Sequence, residues 1–110
     1  RIIPSLAAIS DQYEALFVDL WGCVHNGIAA LPEAVAALQS YRARGGTVVL
    51  VTNSPKPRIG VEAQLKHFGV PDDAWDSIAT SGDSARALSA NGFTLSVCHM
   101  TCPFLIPYKL

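Results

Sequence analysis

The sequence is short of charge. Only 15% of its 110 residues are Asp, Glu, Lys or Arg, and eight basic side chains against nine acidic ones leave a net charge of -1. A chain balanced in this way has no basic footprint, so neither nucleic acid nor an anionic membrane surface is expected as a partner. It also lacks any apolar run near the roughly 18 residues that cross a bilayer, and no charged-then-apolar signal segment opens it. Cysteine is scarce: Cys23, Cys98 and Cys102 are an odd number without the spacing of a disulfide framework. A reducing cytoplasm is the expected location. There is no internal repeat and no low-complexity stretch. The chain begins at Arg1 rather than Met, so its start is expected upstream.

What the sequence does have is apolar runs closed by polar turns. Half of the residues are hydrophobic, which argues against disorder. The length suits one small domain near the low end for an α/β sheet. Residues 2–12 read as a short helix. Ala15-Leu-Phe-Val18 then stops at Asp19 and gives way to a segment holding Gly22 and Gly27, a buried strand over residues 15–20 followed by a loop. Leu31-Pro32-Glu33 opens a helix. Ala34, Val35, Leu38 and Tyr41 share one face of it, Arg42 and Arg44 lie in its last turn, and Gly45-Gly46 stop it. Thr47-Val-Val-Leu-Val51 is a second buried strand, closed by Thr52-Asn53-Ser54-Pro55. A helix over residues 57–67 follows, with Val61, Leu65 and Phe68 in line and Gly69 as its stop. Asp72, Asp73 and Asp76 form an acidic turn with a helix cap. A third strand spans residues 77–80, and residues 81–83 open a helix that ends near Asn91-Gly92.

This rhythm of strand and helix gives the fold class: α/β, with right-handed crossovers and a doubly wound parallel sheet. Parallel order brings Asp19, Thr52 and Ser81 to the carboxyl edge, where open α/β sheets bind ligands. Asp19 alone reads equally well as a loop cap; three polar clusters at one edge favour a site.

Such an edge supports phosphoryl transfer. An Asp attacks a phosphoryl group and carries it, splitting one hard step into two. Donor and nucleophile are both anions, so a Mg²⁺ ion held by carboxylates and a backbone carbonyl is expected between them. Thr52 and the backbone N–H groups of residues 20–22 are suited to the phosphoryl oxygens, with Gly22 allowing close approach.

Asp19-Leu-Trp-Gly22, with Gly27 downstream, resembles the first motif of the haloacid dehalogenase (HAD) superfamily, a strand followed by Asp-x-Asp-Gly. Val48-Val-Leu-Val-Thr52-Asn53-Ser54 resembles the second, an apolar strand ending in Thr or Ser. Asn53 and the Thr80-Ser81-Gly82 turn resemble the class IIA, NagD-like branch of sugar- and nucleotide-phosphatases. The resemblance covers about residues 13–92 and implies a Rossmann-like core. It makes Asp19 the nucleophile and a Mg²⁺ ligand, and the Trp21 carbonyl a second ligand. Thr52 becomes the phosphoryl-binding residue, with Asn53 and Gly22 beside the substrate.

Three departures from the pattern stand out. The family's second Asp, its general acid and base, is replaced by Trp21, whose indole N–H only donates; His25 is the candidate surrogate. The family's later Lys and acidic pair have no counterpart in context, since Lys109 is beside the terminus. Residues 94–110 hold two Cys, two Pro and apolar residues without a clear period. Residues 1–93 thus read as the amino-terminal half of a HAD-like core whose cap is absent or only begun. Residues 94–110 read as an atypical apolar tail, from a truncated or frame-shifted reading frame or from packing on an exposed sheet. Cys98, His99 and Cys102 offer at most three metal ligands with no fourth nearby.

The expected function is a HAD-type phosphatase acting on a small phosphorylated metabolite through an aspartyl phosphate, truncated and weakly active or inactive. The alternative is a non-catalytic remnant or interaction module that self-associates through its sheet edge or tail. Trp75 and Phe68 are expected in the core, and Cys23 is expected to be a small buried residue.

Overall fold

The computed structural model describes residue 2 and residues 4–90. The tail, with Cys98, His99, Cys102 and Lys109, and the boundary expected at residue 93 lie outside the described residues.

Three parallel strands, β1 (Ala15–Asp19), β2 (Thr47–Thr52) and β3 (Ser77–Thr80), form a sheet in the order β1-β2-β3. The register pairs Phe17 with Val49, Asp19 with Val51, and Thr52 with Thr80. Helix α1 (Pro32–Ala43) joins β1 to β2, α2 (Arg58–Phe68) leads toward β3, and α3 (Ser81–Ala90) follows it. The α/β class and the parallel sheet are as the sequence implied. Residues 2–12 differ: instead of one short helix there are two 3-10 turns, Leu6–Ala8 and Ser10–Gln12. Arg44 pins this segment by donating to the buried Ser10 hydroxyl at 2.7 Å and to Asp11 at 2.6 Å.

The ends of the helices follow from their residues. Pro32 opens α1, where its missing N–H costs nothing. Gly69 closes α2 in the left-handed conformation, and the Val70 N–H returns to the Leu65 carbonyl at 2.9 Å, which satisfies a carbonyl the helix leaves unpaired. Gly46 leaves room for the buried Tyr41 ring, which occupies the space of any side chain there. The Tyr41 hydroxyl donates to the Tyr13 carbonyl at 2.6 Å.

Two right-handed crossovers advancing in one direction place both helices on the same face of a sheet. Burial agrees. Leu20, Val48, Leu50 and Ile78 pack with Leu38, Tyr41, Val61 and Leu65 into one core, joined by Val24, Val70 and Ala74. Trp75 packs partly buried against it. Alternate residues point the other way, so Phe17, Asp19, Val51 and Ala79 lie on an open face where Phe17 is 78% exposed.

Asp76 belongs to no helix cap; the acidic turn is the 3-10 helix Asp72–Ala74. Asp76 instead locks β3 to β2. Its N–H donates to the Val48 carbonyl at 2.9 Å, and its carboxylate accepts the Val48 N–H at 2.7 Å and the Arg42 guanidinium at 2.6 Å. The guanidinium first, and the Val48 N–H second, hold this carboxyl below the usual range.

Candidate active site

The chain leaves β1 through a tight loop built on one carbonyl. The Leu20 carbonyl accepts the N–H groups of Cys23, Val24 and His25, and Gly22 donates to the His25 carbonyl at 2.8 Å. Gly22 and Gly27 sit at positive φ, 79° and 84°, a conformation that favours residues without a Cβ. The loop turns Val24 and His25 inward, and it leaves Cys23 exposed rather than buried.

His25 is 6% exposed, between the rings of Phe68 at 4.7 Å and Trp21 at 5.8 Å. Its Nδ1 accepts the Gly27 N–H at 3.0 Å, so a neutral imidazole carries its proton on Nε2. Burial lowers its pKa below 6.5, with the Asp19 carboxylate pulling the other way. At neutral pH His25 is uncharged, with one ring nitrogen committed to holding the loop.

Beyond β2, Thr52 Oγ1 accepts the Ser54 N–H at 3.2 Å, and the Ser54 hydroxyl accepts the Lys56 N–H at 3.2 Å. The start of α3 holds this loop from the far side. Ser81 Oγ lies 2.8 Å from the Asn53 carbonyl and 2.9 Å from that of Ser54, and the Gly82 N–H donates to Ser54 at 3.1 Å. A Cβ on Gly82 would run into the Pro55 carbonyl. Asp83 accepts the Arg58 N–H at 2.8 Å and so caps α2; this bond is the main cause of its lowered pKa.

Between the two loops lies a pocket of about 300 Å³, walled by Trp21, His25 and Gly27 on one side and by Thr52, Asn53 and Lys56 on the other. A larger hollow of about 520 Å³ lies at the opposite, amino edge of the strands, beside Arg42 and Asp76. Those two charges already neutralise each other, so the carboxyl-edge pocket is the candidate site.

Of the residues expected from the sequence, Trp21, His25, Thr52 and Asn53 meet in this pocket. Gly22 shapes the adjoining loop. Asp19 stands outside the wall. Alternation turns its carboxylate to the open face, whereas Thr52 falls with Val48 and Leu50 on the covered face. One Asp19 oxygen accepts the Leu20 N–H at 2.9 Å. The Trp21 carbonyl accepts no hydrogen bond among the described residues. Two oxygen donors two residues apart suit a hard cation such as Mg²⁺, which keeps water and phosphate oxygens in its other positions. No group of three or more His, Cys, Asp or Glu side chains fit to hold a metal occurs among the described residues.

Sequence reasoning missed Lys56 and Gln64, which also line the pocket. Lys56 carries a readable signal: it has no acidic residue three or four positions away, whereas Arg58 has Glu62.

Comparison with known proteins agrees with this geometry. The family model for haloacid dehalogenase-like hydrolases matches residues 16–102. A crystal structure of a hydrolase of the haloacid dehalogenase-like family from Brucella suis 1330 superposes with a TM-score of 0.77 at 51% identity. The match covers 83% of this chain and 35% of that one, so the chain spans about a third of the length of that structure. Curated proteins give no match. With its parallel sheet, its Asp-terminated first strand and a family match over most of its length, the chain belongs to the haloacid dehalogenase-like hydrolases.

Proposed function

We propose that the chain carries the phosphoryl-accepting half of a phosphatase site, in which Asp19 attacks a phosphate monoester. The carrying observation is the register. Asp19 and Thr52 close neighbouring parallel strands, one step apart, at the edge where the pocket opens. A phosphoryl group seated over that edge meets Asp19 from the open side and Thr52 from the covered side. An Asp19 oxygen forms a bond to phosphorus while the ester P–O bond breaks and the leaving oxygen departs with its electron pair, to be protonated from solvent. Water then attacks phosphorus, releases phosphate and restores the carboxylate. The Thr52 hydroxyl and the Trp21 N–H, which has no acceptor among the described residues, hold the phosphoryl oxygens; the Leu20 and Gly22 N–H groups are already engaged by Asp19 and the His25 carbonyl. Family members generally use Mg²⁺; in this reading Asp19 and the Trp21 carbonyl would hold it, and it would supply charge neutralisation. Asn53 and the Thr80-Ser81-Gly82 turn support the class IIA branch, whose substrates are small phosphorylated metabolites. A cytoplasmic location remains part of the proposal; no helix of the described residues is long and apolar enough to cross a membrane.

Hydrolysis of an aryl phosphate, with and without Mg²⁺, tests the reading. A phenolate leaves without help from an acid, so the result does not depend on His25. Wild-type turnover that requires Mg²⁺ and is lost in Asp19→Asn is expected. Equal rates for the two proteins would refute it.

One observation favours a second reading, a self-associating module. Phe17 and Val51 expose apolar surface on the open sheet face, and such surface invites partners. Sedimentation at several concentrations tests it, and a monomer throughout would count against it.

A further inference from the structure

We infer that Lys56 is an anion-binding residue of the carboxyl-edge pocket, a group that supplies positive charge to an anionic ligand there. This rests on the phosphatase reading only for the ligand's expected identity; the geometry stands without it. The first observation is charge pairing. Arg42, Arg44, Arg58, Lys66 and Arg86 each lie within 4.0 Å of a carboxylate, and among the described residues Lys56 is the remaining Lys or Arg. It lines the pocket, and among the described residues no Asp or Glu lines it with Lys56. The other polar side chains of the wall, those of Trp21, His25, Thr52, Asn53, Ser54 and Gln64, are uncharged at neutral pH and can donate. A pocket with one cation that has no carboxylate partner among the described residues, and with several donors, selects an anion.

The second observation is how firmly the Lys56 backbone is held. Its N–H donates to Ser54, whose own N–H donates to Thr52. Ser81 and Gly82 hold the carbonyl side of the same loop. The Lys56 stem lies beside Gly60 in the first turn of α2, within ordinary contact of where a Cβ would be. A charge on a pre-organised backbone loses less freedom on binding than one on a loose loop. The role thus goes to a residue on the loop after β2, between the phosphoryl-binding Thr52 and α2.

The test is titration of the 110-residue protein with inorganic phosphate, without Mg²⁺, followed through the backbone amide resonances of Gly27, Asn53, Ser54 and Lys56. Saturable shifts at these amides are expected in the wild type. Lys56→Gln should weaken phosphate binding at least about tenfold, the loss of one charge-assisted contact, and Lys56→Arg should restore most of it. Unchanged amide spectra away from the pocket check that Lys56→Gln is folded. Equal affinity in wild type and Lys56→Gln, or no saturable binding by the wild type, would overturn the inference. The phosphatase reading fails on a different result, turnover that is indifferent to Asp19→Asn, which leaves the phosphate titration intact.

Discussion

The indole of Trp21 fills the space that a side chain at Gly27 would need: a Cβ there would lie 2.5 Å from Cζ3 of the ring and 2.8 Å from Cη2. Gly27 therefore does two things at once. It adopts a φ of +84° and lets the Trp21 ring, still 66% exposed, lie over it as a wall of the pocket. Gly27→Ala is expected to cost about 1–2 kcal/mol for the left-handed backbone and to swing Trp21 outward. Urea unfolding measures the first effect. Acrylamide quenching of tryptophan emission measures the second, with the extra quenching absent when Trp21→Phe is added. Unchanged quenching in Gly27→Ala would show that the ring is not seated there.

His25 makes the fold sensitive to mild acid. Burial lowers its folded pKa, so the unfolded chain binds the proton more readily. Its contribution to stability is complete above about pH 6.5 and declines as pH falls through the folded value. Protonation would also turn Nδ1 into a donor facing the Gly27 N–H. The urea midpoint should fall from pH 7.5 to pH 5.5, and the fall should flatten in His25→Gln. Identical pH slopes for the two proteins would contradict this role.

Asp76 stabilises the opposite edge without touching the site. Removing its carboxylate leaves the N–H of the fully buried Val48 without its acceptor, which costs about 1–3 kcal/mol. Asp76→Ala should lose that much stability at neutral pH and leave the phosphate affinity of the folded protein unchanged; Asp76→Asn should lose less. The carboxyl is held below its ordinary pKa, chiefly by Arg42. Its contribution is therefore complete above about pH 4 and disappears as pH falls through the folded value. Urea titrations of the three proteins at pH 7 and pH 3 check both statements.

Much of this was legible in the sequence because it is local. The Thr47-to-Val51 run between Gly46 and Thr52 could be little else than a buried strand, and Leu38 and Tyr41 show the inner face of α1 by spacing alone. The motif residues Asp19 and Thr52 likewise declare which edge matters. What was not legible depends on contacts between distant segments. Cys23 reads as buried until the Leu20 carbonyl gathers three N–H groups and turns it out. The clamp of Ser81 and Gly82 on residues 53–55 joins segments nearly 30 residues apart, as does the lock between Asp76 and Val48. That Asp19 and Thr52 project from opposite faces follows from register, which neither strand reveals by itself.

In the proposed reaction Asp19 accepts the phosphoryl group. The most direct test is to trap that species: mix the protein with an aryl phosphate and Mg²⁺, quench in acid, reduce with borohydride and map the peptides by mass. Homoserine, the reduction product of an aspartyl phosphate, is expected at position 19 in the wild type and nowhere in Asp19→Asn. Hydrolysis that proceeds while Asp19 is recovered unmodified, or at the same rate in Asp19→Asn, would contradict it.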